Sequence, residues 1–345
     1  MTLASEIVAL GTPSSAGPAG DAPRTIDLKP KGGDRVFRTG VTAVGMTVLV
    51  ITAAIGVFLG YQAIPTLRHY GLKFLTGAVF DPEHNKVGIS ATVIGTVEVA
   101  VLAILMSFPL ALATALYITQ YAPRWIKSTL VSMVDLMAAV PSIVYGLVGF
   151  FLLEYTNRAQ SLARWLNQYF GFVPIFKVHT DANAANWSPA SYVGSAFIAA
   201  IVVSMMVIPI AAAVMRGVFD QAPPGEREAA YALGATRWGM IRSVVLPFGR
   251  GGIIGGTMLG LGRALGETVA VLIIISPAFD IKPRVLESGT NTIAALIAAH
   301  FGEATAGQLS ALLAAGFVLF LMTLAVNTVA GAIVARSRSG ALTEI

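Results

Sequence analysis

Arg263 and Glu267 lie inside the apolar stretch LGRALGETVAV, residues 261–271, where a membrane chain has least use for charge. Spaced by four, they project from one face of a helix and can pair. Arg263 follows Arg250 along the same run, about 20 Å further at the rise of an α-helix, which places it near the middle of a span. A charge at that depth costs roughly 2.5–3.5 kcal/mol on insertion scales, so residues that persist there face an aqueous path or a partner. The pair therefore reads as part of a substrate pathway, with a salt bridge that only packs helices as the competing reading. Glu98 and Asp135 make a weaker case for the same path. Glu98 falls inside another apolar run, placed to line the path or pair with Arg263, and Asp135 stands near the end of a third, within reach of interfacial water.

Such residues need a membrane bundle to position them. Of 345 residues, 55% are hydrophobic and 12% charged, the latter about half the share of a soluble domain. Six apolar runs recur, at about 40–63, 88–118, 128–153, 191–215, 249–276 and 309–335, each near or above the roughly 20 residues that cross a bilayer. Helices are the expected form, because only helices and closed barrels satisfy backbone groups in lipid and the alternating pattern of barrel strands is missing. The fold class expected is all-α: a polytopic domain over residues 39–338 with six transmembrane helices, a loosely ordered tail over 1–38 and a short tail over 339–345. Pro109 and Pro141 are candidate kinks in the second and third runs.

Basic residues set the orientation. Arg24, Lys29, Lys31, Arg35, Arg38, Arg124, Lys127, Arg216, Arg227, Arg237, Arg242, Arg250, Arg336 and Arg338 fall on one side of the six runs, fourteen in all. Eight (Arg68, Lys73, Lys86, Arg158, Arg164, Lys177, Lys282 and Arg284) fall on the other. The positive-inside rule puts both termini and the fourth-to-fifth loop in the cytoplasm. The net charge of +5 then serves orientation and attraction to anionic lipid, not nucleic-acid binding. The first run starts late and is long enough to span, so it reads as a retained helix and not a cleaved signal. On the outer side, NRAQSLARWLNQYF, residues 157–170, sets Leu162, Trp165, Leu166 and Tyr169 at helical spacing, the pattern of a helix lying in the membrane interface. The sequon at Asn186 and Ser188 is discounted as chance.

Other chemistry is missing from the sequence. There is no GxxxxGK[ST] phosphate loop, and GLGRALG at 260–266 is out of register for a dinucleotide loop and follows no strand. The chain cannot hydrolyse a nucleotide by itself. Gly252, Gly256 and Gly260 read instead as a small-xxx-small stripe that lets two helices approach closely. With no cysteine and with His69, His84, His179 and His300 scattered, neither thiolate chemistry nor a metal site is expected.

The loop over residues 216–247 is long and polar between two apolar runs. Pro223 and Pro224 suit a helix start, Glu226 and Glu228 its first turn, and Gly234 its end; a second helix begins near Thr236 and reaches Leu246 and Pro247. Ala229, Ala230 and Leu233 give a small apolar face that a groove in another protein could accept.

The segment EAAYALGATRWGMIRSVVLP, residues 228–247, resembles the EAA loop of ABC importer permeases, with Glu228, Ala229, Ala230, Gly234, Val244, Leu246 and Pro247 in register. LGRALGETVAV resembles the ARALGETMAV stretch of the permeases of phosphate-specific ABC importers. DLMAAVPSIVYGLVGFFLL, residues 135–153, resembles their ELLAGIPSVVYGLFGLFVL, and both stretches are nearer the PstC type than its PstA sister. The resemblance covers about residues 40–338. Gly262 stands where that family often has Ala, Val269 for Met and Asp135 for Glu, and none of these changes removes a charge.

The resemblance implies the type I importer permease fold in a bacterial inner membrane. It also implies a homologous PstA-like permease as partner, two PstB-like ATPase subunits that carry ATP and magnesium and receive the loop, and a PstS-like extracytoplasmic phosphate-binding protein. No cofactor is expected on this chain. In that setting the Arg263 guanidinium suits an oxyanion by bidentate hydrogen bonding, with Glu267 as its partner when phosphate is absent. Three alternatives remain: a permease for molybdate, sulfate or an organic solute, an ion-coupled secondary transporter that uses the same buried pair, and a purely structural membrane subunit.

Overall fold

In a computed structural model of the chain, residues 32–81, 84, 86–178 and 189–337 are described. Arg24, Lys29, Lys31, His179, the sequon at Asn186 and Ser188, Arg338 and the tail over 339–345 lie outside them, as does most of the tail over 1–38. The chain divides into two units, Met1–Ala54 and Ile55–Ile345. In the first, the described residues are the opening half of helix α1 (Gly32–Tyr70).

The second unit completes α1 and continues through α2 (Lys73–Thr76) and a two-stranded antiparallel hairpin, β1 (Phe80–Asp81) and β2 (Lys86–Val87), with Phe80 opposite Val87. The helices α3 (Ser90–Leu116), α4 (Arg124–Ala139), α5 (Ser142–Gly149), α6 (Arg158–Phe170) and α7 (Ala196–Phe219) follow. The polar loop then forms α8 (Pro224–Ala232), α9 (Arg237–Met240) and α10 (Leu246–Phe248). Last come α11 (Arg250–Leu265), α12 (Val269–Ile274), α13 (Ile293–His300) and α14 (Ala306–Ser337). Among the described residues four helices are long and apolar enough to cross a membrane, and two bent pairs bring the number to six. The chain is therefore a helical, polytopic membrane protein, as the apolar runs predict.

Two runs expected as single spans are broken. The third turns by 90° between α4 and α5. Val140, forced out of helical geometry by the proline after it, is extended (φ −63°, ψ 130°), and Pro141 starts the next segment. The Tyr145 hydroxyl donates to the Met137 carbonyl at 2.7 Å across the bend, which meets the requirement that freed backbone groups in lipid find partners. The fifth run starts at a 67° bend between the α9–α10 segment and α11, and it is broken after Leu265, with α12 starting at Val269. By contrast α3 runs through Pro109 unbroken.

At the centre stands α7, packed on α3, α4, α11 and α12. The glycine stripe of α11 is the reason it sits so close. A Cβ on Gly252 would fall 2.5 Å from Val218 Cγ2, and one on Gly260 2.5 Å from Val207 Cγ1. Gly255, on the other face, has nothing within 4 Å. Gly260→Ala is expected to destabilise the chain by about 1–3 kcal/mol through overpacking, whereas Gly255→Ala is expected to be neutral or mildly stabilising from helix propensity. Thermal unfolding of the two variants in detergent checks the difference.

The helix expected in the membrane interface is present as α6. Ala159, Gln160 and Ala163 are buried against the protein, Leu166 is half-buried, and Leu162, Trp165 and Tyr169 are exposed. Its aromatic stripe is thus left facing outward.

Candidate functional site

The charged pair in the fifth stretch sits at a break. After Leu265 the chain caps α11 with Gly266, whose N–H reaches back to the Arg263 carbonyl, and α12 starts at Val269. Arg263 and Glu267 consequently do not share a helix face, and no ion pair joins them among the described residues. The i, i+4 pairing expected from the spacing is corrected: it presumed an unbroken helix. Arg263 lies in the last turn of α11 with its side chain exposed, and among the described residues its guanidinium has no hydrogen bond or ion pair. It acts through space on the hydroxyl of Tyr145, just past the bend in the third stretch. Glu267 is buried, 8% exposed, and its Oε1 accepts the Ala270 N–H at 3.4 Å. It caps the first turn of α12 and so positions the break.

The two weaker candidates lie elsewhere. Asp135, half-exposed on α4, accepts from Arg216 at the end of α7 at 3.1 Å. Its partner is a basic residue at the α8 end of the bundle and not Arg263. Glu98, on α3, borders a cavity of about 10 Å³ with Asp280, Lys282, Thr290 and Asn291, room for about one water. Lys282 there donates to the Ser288 carbonyl at 2.8 Å. Glu98 makes no ion pair with Arg263. A larger cleft, about 540 Å³, is lined by Thr66, His69, Gln308 and Ser310 and holds none of the predicted residues.

At the far end of α7 the polar loop is helix, glycine turn, helix. Gly234 has φ +82°, its N–H donates to the Tyr231 carbonyl at 2.9 Å, and the Ala235 N–H donates to the Ala230 carbonyl at 3.0 Å. These two bonds form a Schellman cap, which requires a residue in the left-handed region. Thr236 opens α9 by accepting the Gly239 N–H at 3.1 Å. No residue of α8 is buried: Glu228 and Ala229 are exposed, Ala230 is half-buried, and Leu233, 89% exposed, stands beyond the helix end. Trp238 is also exposed. Leu246 is half-buried and Pro247 exposed at the start of α10. Arg227 ties α8 to the bundle by donating to Gln120 Oε1 at 3.0 Å. Ala230 also packs against the bundle core, so of the small apolar face expected from the sequence Ala229 and Leu233 are left uncovered.

Sequence reasoning missed the break at Gly266 and the short apolar helix α13. The signal for the first is GET, residues 266–268: a helix-ending glycine followed by two residues able to cap a new start.

Residues 107–339 match the family described as binding-protein-dependent transport system inner membrane component. The chain is 38% identical over 313 residues to the phosphate transport system permease protein PstC 2 of Mycobacterium tuberculosis, covering 89% of this chain and 94% of the relative. It is 40% identical over 304 residues to PstC of Mycobacterium leprae, covering 87% and 92%. Among solved structures, a chain of a bacterial ABC transporter involved in the import of the acidic polysaccharide alginate superposes with a TM-score of 0.55 at 16% identity, covering 90% of this chain and 99% of that one. A chain of the methionine ABC transporter MetNI in an inward-facing conformation gives 0.50 at 13% identity, covering 75% and 99%. The likeness of these two is one of fold. The chain belongs to the family of binding-protein-dependent transport system inner membrane components, among the PstC phosphate transport permeases.

Proposed function

We propose that this chain is the membrane-spanning permease subunit of an ATP-driven phosphate importer, and that Arg263 meets the phosphate ion in the translocation path. The observation that carries the reading is the isolation of that guanidinium. It stands on an apolar helix, exposed, with neither hydrogen bond nor ion pair from the described residues, a condition a membrane tolerates only where water, an anion or a second subunit completes it. Phosphate carries one to two negative charges and accepts bidentate hydrogen bonds, which suits a guanidinium better than an ammonium. The second half of the path comes from a homologous PstA-like permease. Phosphate is delivered by a PstS-like binding protein outside.

The α8–α9 loop lies in the cytoplasm and docks a PstB-like ATPase subunit, one of two in the importer, which holds the ATP and magnesium. Energy enters through the exposed face of α8 and reaches Arg263 by way of α9, α10 and α11. Uptake of labelled phosphate by cells making the permease with its partner subunits tests the reading. Excess unlabelled phosphate and arsenate are expected to compete and sulfate and molybdate to fail, with uptake abolished by ATP depletion. Competition by sulfate or molybdate alone reassigns the substrate, and uptake that survives ATP depletion but not collapse of the ion gradients turns the chain into a secondary transporter.

A further inference from the structure

At the end of α7 opposite α8, three parts of the bundle meet at one carboxylate. Glu154 closes the wide turn Phe150–Glu154 that ends the third apolar stretch, and its Oε1 accepts the Gly194 N–H at 2.8 Å. The Gly194 carbonyl in turn accepts the Ser276 N–H at 3.4 Å, just beyond α12, and the next residue, Ser195, caps α7. The contact is close enough that a Cβ on Gly194 would fall 2.2 Å from Ser276 N. Gln160, from the first turn of α6, is fully buried beside them and donates from Nε2 to the Glu154 main-chain carbonyl at 3.1 Å. Glu154 is 8% exposed.

Two side-chain atoms at this joint are shielded from solvent and have no donor among the described residues: Glu154 Oε2 and Gln160 Oε1. Both are acceptors. Turning the Gln160 amide over does not help, since its oxygen would then face the Glu154 carbonyl, acceptor against acceptor. A buried carboxylate without a compensating charge is strongly disfavoured, and among the described residues no ion pair reaches Glu154. Arg158 and Arg164 stand on the exposed side of α6, and Tyr155 is exposed. The Tyr192 hydroxyl accepts from Asn167, and that of Tyr145 is bonded to Met137. Between Val269 and Ile274, α12 has no ionisable residue, and the one basic residue of α7, Arg216, lies in its last turn beside Asp135. In the segment after α12, which packs here through the Ser288 N–H on the Ser191 carbonyl, Arg284 pairs with Glu287 at 3.3 Å and Lys282 donates to the Ser288 carbonyl at 2.8 Å.

We propose that Glu154 and Gln160 hold a monovalent cation, a proton or a sodium ion, which neutralises the carboxylate and fastens the joint between α6, α7 and the end of α12. A proton on Oε2 makes that atom a donor for a neighbouring acceptor such as Gln160 Oε1. A sodium ion takes both oxygens as ligands. In either case the carboxylate charge is neutralised. The inference does not depend on what the permease carries.

Thermal unfolding of the assembled complex in detergent tests it, at pH 6 and pH 8, each in sodium chloride and in choline chloride, for the wild-type chain, Glu154→Gln and Glu154→Ala. Glu154→Gln brings its own N–H donors and no charge, so it is expected to melt at or above the wild type at pH 8 in choline and to respond to neither variable through this site. Wild type is expected to gain about 2–4 °C or more relative to Glu154→Gln. The gain appears on adding sodium at pH 8 for a metal ion. It appears on acidification for a proton, because a folded state that binds the proton more tightly than the unfolded chain gains stability as pH falls. Glu154→Ala is expected to melt lowest. The proposal is overturned if Glu154→Gln is as destabilised as Glu154→Ala, or if the difference between wild type and Glu154→Gln is the same in all four conditions.

Discussion

Arg263→Gln is expected to leave the permease in the membrane at wild-type level and to lower phosphate uptake by about 10- to 100-fold, matching the roughly 1.5–3 kcal/mol of a hydrogen bond to a charged group. Membrane level is spared because the guanidinium makes no bond to the described residues, so its removal orphans no buried group among them. Arg263→Lys keeps the charge and loses the planar fork, and its uptake is expected to fall between the two. Glu267→Gln still offers an oxygen to the Ala270 N–H that Glu267 caps, so its loss is expected to be smaller than that of Arg263→Gln. Uptake assays normalised to membrane protein check all three. Wild-type uptake by Arg263→Gln would remove Arg263 from the path, and equal losses in Arg263→Gln and Glu267→Gln would mean that the carboxylate charge, and not the cap, is what Glu267 contributes.

The sequence shows that the fifth stretch carries the charged site but hides how the site is built. Hydropathy sees apolar length, and LGRALGETVAV is as apolar around Gly266 as a continuous span requires, since glycine is common in membrane helices. What ends α11 is local: Gly266 closes it and Glu267 starts the next segment. The glycines of α11 were legible because their spacing of four maps directly onto a close face, and α7 occupies that face. Asp135 shows the opposite case. Its depth in the third run was readable, but its partner, Arg216, is 81 residues away on another helix, and no local pattern announces such a pair. Glu154 and Gln160 escaped for the same reason, because a carboxylate at the end of an apolar run looks solvated until the chain that buries it is in place. The helix–glycine–helix form of the polar loop, by contrast, was readable in full, because caps and turns are set by residues within a few positions of each other.

Gly234→Val is expected to uncouple the permease from its ATPase while Gly234→Asn largely preserves the link. Gly234 sits at φ +82° with nothing within 4 Å of where a Cβ would stand, so the cost of a side chain there is conformational, not steric. A β-branched residue pays about 1–3 kcal/mol for that backbone region, whereas asparagine visits it more readily. The Schellman cap from Gly234 and Ala235 back to Tyr231 and Ala230 is the bond set that fixes the angle between α8 and α9. Because no residue of α8 is buried and only Ala230 leans on the core, losing that angle is expected to move chiefly the proposed docking face. Copurification of the ATPase with a tagged permease is expected to drop about 5- to 100-fold for Gly234→Val, the equilibrium equivalent of that strain, with uptake falling in parallel and membrane level unchanged. If Gly234→Val holds the ATPase and transports like the wild type, the turn does not set the coupling geometry, and contact must run through Arg227 and the body of α8 alone.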